Sequence, residues 1–334
     1  MNSPDNDFGG ARDQDRTQAP AYGKLGPGAD VTLAGPDAPN TSSQPSTSRV
    51  RVAALIAVGV GFAAAIATMQ LTNSTRYHEP GDFSRSASKP VTSKDLRRID
   101  SLSQQKQAET LLESAITNSA GAVEQISNRA DAWRGHIHWN AKIANLTAAA
   151  LNSEDMRVRE AGIEVELAAY GVSKDSSSAD SMVQEAQAAP HAQKIWALWT
   201  LGLLGNRGIE PDRVVETLIG HMKDTDDDSR RWAVESLALV GTNSTIAPLL
   251  AAMHDDPSPR VRERAACSLA VSGMLTHEQR MTAVPQLINY SDDASLDAQT
   301  HGWAFQALKD ITPQRLPNES ATWRNWYQSA SGGN

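Results

Sequence analysis

Apolar residues in the second half of the chain recur at helical spacing and predict a helix that is used repeatedly. Within residues 256–273, Val261, Ala265 and Leu269 are four residues apart, as on one face of an α-helix. The stretch opens with Asp-Pro-Ser-Pro, which cannot continue a preceding helix, and closes with Gly273, a residue type that often ends one. A turn followed by one helix is therefore predicted here.

The same pattern aligns at five places, and we call the central residue of each the anchor. The anchors are spaced by 34, 36, 32 and 39 residues, at Ile163, Ala197, Ala233, Ala265 and Ala304. A leucine follows every anchor by four residues, at Leu167, Leu201, Leu237, Leu269 and Leu308. A glycine follows the first four anchors by eight residues, at Gly171, Gly205, Gly241 and Gly273. A tryptophan directly precedes three of the five anchors, at Trp196, Trp232 and Trp303. The agreement of these registers indicates a sequence repeat.

The segments between the anchor helices have room for a second helix in each middle repeat. These second helices are predicted at Pro211–Lys223, Ser244–His254 and Thr276–Tyr290. A helix pair of this length cannot bury its apolar faces alone, so neighbouring repeats must stack. The predicted fold class is all-α, with the repeats forming a solenoid.

The repeat motifs carry a resemblance to a known family. Asp-x-x-x-Arg-Val-Arg opens the helix at Asp256–Gly273, and proline precedes leucine at one matched place in two of the second helices, at Pro248 and Pro285. This pattern resembles HEAT repeats, in the short form similar to the repeats of phycobilisome lyases. The resemblance implies a curved α-solenoid of about five repeats that binds other macromolecules, without fixing the partner.

Composition and pattern divide the rest of the chain. Residues 1–50 are polar, rich in glycine and proline and without apolar period, so we expect a disordered tail. Residues 52–71 carry no charge and are long enough to predict one transmembrane helix, followed by a polar linker at 72–93. A broken amphipathic pattern at 94–152 predicts a helical N-terminal cap, and the repeats are expected at 153–328.

Two other interpretations of the apolar segment stay open, a buried helix of a soluble domain and a signal sequence cleaved after the small residues of Ala65-Ile66-Ala67. Small side chains recur every fourth residue along the segment, which would let two such helices approach closely as a weak homodimer, although such spacing arises easily in an alanine-rich segment. These residues are Ala53, Ala57, Gly61 and Ala65.

Charges beside the segment suggest an orientation. Arg49 and Arg51 directly precede it, whereas Arg76, Arg85 and Lys89 follow at greater distance. Because positive charge is retained on the cytoplasmic side, we expect a cytoplasmic N-terminus in the inner membrane of a bacterium, with the repeat domain periplasmic.

The last residues predict a C-terminal cap. Ile311-Thr312 is followed by a loop and then by Trp323 and Trp326 at helical spacing. We expect these rings to plug the open end of the last repeat, with aromatic ligand binding as the alternative.

Charge weighs against a nucleic-acid-binding HEAT protein, in which a basic face is expected. The chain has a net charge of −8. Arginines at 157, 159, 230, 231, 260, 262 and 264 directly follow aspartates at 155, 226–228, 255 and 256. Because each group of arginines lies beside aspartates, we expect an Asp–Arg ladder between repeats rather than phosphate binding. The aspartates cancel most of the positive electrostatic field that nucleic-acid binding requires.

No catalytic, metal-ligating or cofactor-binding residue is predicted, and the chain is not expected to be an enzyme. His136 and His138 lack a third ligand nearby in sequence. HEAT-type deoxyhypusine hydroxylases hold iron with repeated His-Glu pairs, whereas here His277-Glu278 is the one pair inside the repeats, with His78-Glu79 in the linker. Cys267, the one cysteine, fits a packing role.

The sequence thus favours a membrane-anchored HEAT-repeat scaffold or adaptor that binds a protein. The alternatives are a bilin-lyase-like HEAT enzyme, suggested by the resemblance alone, and a nucleic-acid-binding HEAT protein. The residues that contact the protein partner are not identified by the pattern.

Overall fold

Short loops with capping residues divide residues 90–331, the part of the chain that the computed structural model describes, into successive α-helices. Aspartate side chains accept a backbone N–H at the helix starts after Asp155, Asp226 and Asp297. Gly171 and Gly241 end two helices with φ of 71° and 68°. The described residues contain no β-strand. The helices are α1 (Ser93–Asp100), α2 (Gln104–Ile116), α3 (Ala122–Trp133), α4 (Ala141–Leu151), α5 (Met156–Tyr170), α6 (Ser176–Ala188), α7 (His191–Asn206), α8 (Pro211–His221), α9 (Asp227–Val240), α10 (Ile246–Asp255), α11 (Pro259–Ala270), α12 (His277–Met281), α13 (Val284–Tyr290), α14 (Ala298–Ile311) and α15 (Ser320–Ser331).

The anchor helices of the sequence pattern are α5, α7, α9, α11 and α14. Every anchor residue is fully buried, and the aligned leucines are no more than 2% exposed. The predicted register of the repeat is therefore confirmed. In physical terms, the spacing of four residues places anchor and leucine on one helical face, where burial stabilises them by about 1.5–3 kcal/mol per large side chain.

The second helices agree with prediction except where proline intervenes. α8 is the predicted helix at 211–223, but the helix predicted at 276–290 is two helices, α12 and α13. Pro285 has no N–H, and its ring would clash with the carbonyl oxygen of Met281, so a helix cannot run through this point. Pro248 has a related effect, since a 3₁₀ turn at Asn243–Thr245 precedes α10.

Each second helix packs closely on the anchor helix that follows it, as in the pairs α6 with α7, α10 with α11 and α13 with α14. α4 packs on α5 in the same way. We call these partners the outer helices. The predicted boundary between a cap at 94–152 and repeats at 153–328 falls between α4 and α5, and it stays a prediction.

Two apolar cores meet at α5. The first contains buried residues from Ile99 onward and takes Val158 and Val165 from α5. The second extends to Trp323 and takes Ile163 and Leu167 from the same helix. Because α5 contributes to both, the N-terminal helices and the repeats are joined through one element.

The contact between α7 and α9 requires a glycine. A Cβ atom on Gly202 would lie 2.7 Å from the carbonyl oxygen of Ser236, closer than real Cβ atoms come. The two helices therefore approach to backbone contact, and alanine at this position would push them apart.

The tryptophans of the C-terminal segment are positioned as a plug. Trp323 on α15 is fully buried in the second core, and its Nε1 donates to the carbonyl oxygen of Pro317 at 2.9 Å. Trp326 packs edge-on against it, with 5.8 Å between ring centroids. A buried ring of this kind closes the core and has no free face for an aromatic ligand.

The expected tail at 1–50, the transmembrane helix at 52–71 and residues 72–89 of the linker lie outside the described residues. Within 90–331, no helix combines the length and apolar character that a membrane crossing requires.

Leu237→Asp should unfold the middle of the stack. Leu237 is fully buried, and an unpaired carboxylate there costs about 3 kcal/mol or more. Thermal melts followed by circular dichroism measure the effect. Glu216→Ala, on the exposed face of α8, is the matched control and should leave the midpoint unchanged. Equal midpoints for both variants would mean that the register is wrong.

Candidate protein-binding face

A cation near the start of each middle anchor helix binds an aspartate of the next repeat. The fourth residue after the N-cap makes the contact: Lys194 Nζ lies 2.8 Å from Asp224, Arg230 Nε 2.8 Å from Asp256, and Arg262 Nη2 2.6 Å from Asp297. The expected Asp–Arg ladder between repeats is therefore confirmed.

The ladder arginines also bind backbone. Arg230 Nη1 donates to the carbonyl oxygen of Asp224, and Arg262 Nη1 donates to that of Asp256, each at 2.9 Å. These donors are consequently occupied and are not presented to a phosphate. The remaining candidate arginines also have acids beside them, as in Arg157–Asp155, Arg231–Asp228, Arg260–Asp228 and Arg264–Glu235.

Arg159 stands at the ladder position of α5 but has no aspartate ahead of it. Its Nη1 donates instead to the carbonyl oxygens of Val271 and Gly273, in the loop that follows α11. Arg280 donates to the carbonyl oxygen of Val271 from the other side. The start of α5 is thus tied to the end of α11, more than a hundred residues later in the chain. Sequence carries no signal for this contact, because the acceptors are backbone atoms.

The anchor helices have one face turned away from the outer helices, which we call the inner stripe. Helical spacing assigns to it the residues five and one before each anchor and two and six after it. On α7 the stripe is buried through Trp196, Trp199 and Leu203. The ring of Trp196 packs against Tyr170 of α5, and that of Trp199 packs edge-on against Trp232 of α9. At this end the inner stripe is closed by the protein's own helices.

The inner stripe is open on α11 and α14. Val271 is 46% exposed, and no other large apolar side chain in residues 90–331 is as exposed. The other members of this open part are exposed or half-buried, namely Arg260, Arg264 and Cys267 on α11 and Gln299, Trp303, Gln306 and Asp310 on α14. A mixed apolar and polar surface on rigid helices is suited to another protein rather than to a small ligand.

Arg264 and Cys267 form the floor of this open part. Arg264 Nε lies 3.8 Å from a carboxylate oxygen of Glu235, which raises the pKa of the guanidinium and keeps it charged. Nε itself donates no hydrogen bond within the described residues. Burial raises the pKa of the Cys267 thiol, so the sulfur is uncharged at neutral pH and packs as the sequence predicts.

The histidines considered from the sequence are not brought together. His136 and His138 are exposed on the loop between α3 and α4, whereas His277 and Glu278 are exposed on α12. Among residues 90–331, no group of His, Cys, Asp and Glu side chains has an arrangement that could hold a metal ion. His78 and Glu79 lie outside the described residues.

A family model described as HEAT repeats matches residues 179–270. This part of the chain is similar to HEAT repeats. The match runs from within α6 to the end of α11 and so includes three anchor helices, two of the ladder contacts and the start of the open inner stripe. HEAT repeats are generally a non-enzymatic scaffold and commonly mediate protein interactions. No curated protein matches the chain.

Breaking one ladder contact should loosen the stacked repeats. The side chains of Arg230 and Asp256 are 10% and 7% exposed, so Arg230→Gln leaves a nearly buried carboxylate unpaired. We expect a loss of about 2–3 kcal/mol in the free energy of unfolding, measured by denaturant titration. Arg157→Gln is the control, because that side chain is 70% exposed and its ion pair is local. A loss of equal size in both variants would contradict the role of the ladder.

Proposed function

We propose that this chain is a membrane-anchored scaffold or adaptor that binds a protein through the open inner stripe of α11 and α14. The observation that supports the proposal most is the change in the stripe along the repeats. The stripe is buried and aromatic on α7, and it is exposed at Val271, directly after α11. A partner is expected to add the apolar contacts that this surface lacks.

The surface has the composition of a small interface centre. Val271 offers exposed apolar area, Trp303 a half-buried ring, and Arg260 and Arg264 charged donors. Tryptophan and arginine are over-represented among residues that dominate binding energy, particularly where they are held rigidly. Rigidity here comes from the ladder contact Arg262–Asp297, which joins α11 to α14.

The membrane anchor is supported by the uncharged segment at 52–71. The polar segment that follows, 72–93, is proposed to link this anchor to the repeat domain. We propose a single-pass protein of the cytoplasmic membrane, with a cytoplasmic N-terminus and the repeats on the far side.

Val271→Asp should abolish binding without unfolding the protein. The full-length protein is purified from membranes with and without prior cross-linking, and the co-purifying proteins of wild type and variant are compared. Ala251→Asp, on the exposed face of outer helix α10, is the matched control. A protein retained by wild type and control but lost from Val271→Asp, at unchanged thermal midpoint, supports the proposed face. Identical sets of proteins for the two variants would contradict it.

The proposed orientation has its own test. Protease added to intact spheroplasts should destroy the repeat domain and spare an N-terminal tag, because adjacent Arg49 and Arg51 hold the N-terminus in the cytoplasm. The reverse pattern would place the repeats in the cytoplasm. Recovery of the intact chain in the soluble fraction would contradict the anchor itself.

A further inference from the structure

Glu166 is a buried carboxyl group where the two apolar cores meet. It lies on α5 and is 3% exposed. Val165 before it belongs to the first core, and Leu167 after it belongs to the second. A carboxyl group in such a place is costly as an anion unless a cation compensates it.

The position of Glu166 corresponds to a core leucine elsewhere. Glu166 is eleven residues after the N-cap of its helix. The residues eleven after the N-caps of the other anchor helices are Leu201, Leu237, Leu269 and Leu308. Counted back from the closing glycine, Leu167 takes that place instead. The two counts give different residues on α5 because this helix has one residue more than α9, 15 against 14. The extra residue places a buried carboxyl group directly before the leucine of this repeat.

Three uncharged donors surround the carboxyl group. Trp199 Nε1, on α7, donates to Glu166 Oε2 at 3.3 Å. The hydroxyl groups of Thr147 on α4 and Tyr170 on α5 lie near the carboxyl group and lower its pKa. One side chain therefore links α4, α5 and α7, the helices on either side of the boundary between the cores.

No cation faces Glu166 within the described residues. The helices packed on α5 are α2, α3, α4 and α7. Their charged groups are engaged elsewhere, in the pairs Lys106–Glu109, Lys142–Glu113, Arg129–Asp100, Lys174–Asp131, Lys194–Asp224 and His191–Asp228, with Glu124 near Arg157. On α5 itself, Arg157 and Arg159 lie near the start, and Glu160 and Glu164 face Arg207.

Burial raises the pKa of Glu166 to about 8. The side chains of Trp199, Thr147 and Tyr170 lower this pKa, but by less than burial raises it. Burial also raises the pKa of Tyr170, which therefore stays uncharged. The folded protein accordingly holds a proton at Glu166 that the unfolded chain releases near its ordinary pKa of 4.5.

We propose that Glu166 is a protonation-sensitive latch between the N-terminal helices and the repeats. As a neutral acid, it accepts a hydrogen bond from Trp199 and places no charge between the two cores. When the proton leaves, an uncompensated anion remains between α4 and α7, and the contact of the N-terminal helices with the repeats loosens. The latch does not depend on the identity of any binding partner.

The sign of the pH dependence follows from proton binding. Between about pH 4.5 and about pH 8 the folded state binds one more proton than the unfolded state, so stability falls as pH rises. Below that window the contribution is fully present, and above it the latch is open. Most buried or paired carboxylates with lowered pKa values act in the opposite direction.

Glu166→Gln, which keeps the shape of the neutral acid, tests the latch in the full-length protein. Thermal midpoints are measured from about pH 6 to about pH 8. We expect the wild-type midpoint to fall by about 3 °C or more per pH unit relative to the variant. At the high end of the range the variant should be the more stable protein.

Glu164→Gln is the control, because Glu164 lies on the same helix and is bound by Lys174 at 2.8 Å. Its midpoint should run parallel to wild type over the same pH range. Hydrogen exchange, corrected for intrinsic rates, should show α4 and α7 opening at high pH in wild type and not in Glu166→Gln. Parallel midpoints for wild type and Glu166→Gln, or exchange that rises equally in all helices, would overturn the proposal.

Discussion

The ion pair between a cation of one anchor helix and an aspartate of the next repeat is the contact on which the stack depends. Stacked helices bury apolar area in many rotational settings, so burial alone does not fix the angle between them. A short contact such as Arg230–Asp256 does fix it, since both groups are nearly buried and would be costly if separated. Lys194 and Arg262 make the same connection on either side. The same connection, repeated, ties α7, α9, α11 and the start of α14 in series.

The repeat could be predicted from the sequence because it is local and periodic. Anchors and leucines such as Ala233 and Leu237 mark one helical face by spacing alone, and both are fully buried. The ladder was also predictable, since aspartates and arginines recur at matched places. The sequence did not predict the split between α12 and α13, although Pro285 is the cause of it. No capping residue precedes α13, so the sequence does not show whether Pro285 lies inside one helix or at the start of a second.

The binding face and the latch were not predictable, for a different reason. Val271 and Leu203 occupy equivalent positions, yet one is exposed and the other fully buried. Equivalent positions of the repeat thus differ in exposure, which spacing along one helix does not record. Glu166 was hidden by the extra residue in α5, because Leu167 satisfies the alignment while a buried carboxyl group directly precedes it. Side-chain spacing does not record such an insertion.

The bond from Arg159 to the loop after α11 has a mechanical consequence. An open solenoid stretches like a spring, because each repeat touches only its neighbours. Here the first anchor helix is fastened to the fourth, so a pull that enters through α1 reaches α11 by a short route that bypasses α7 and α9. A force along this route has to break the hydrogen bonds of Arg159 before α5 can separate from the loop after α11.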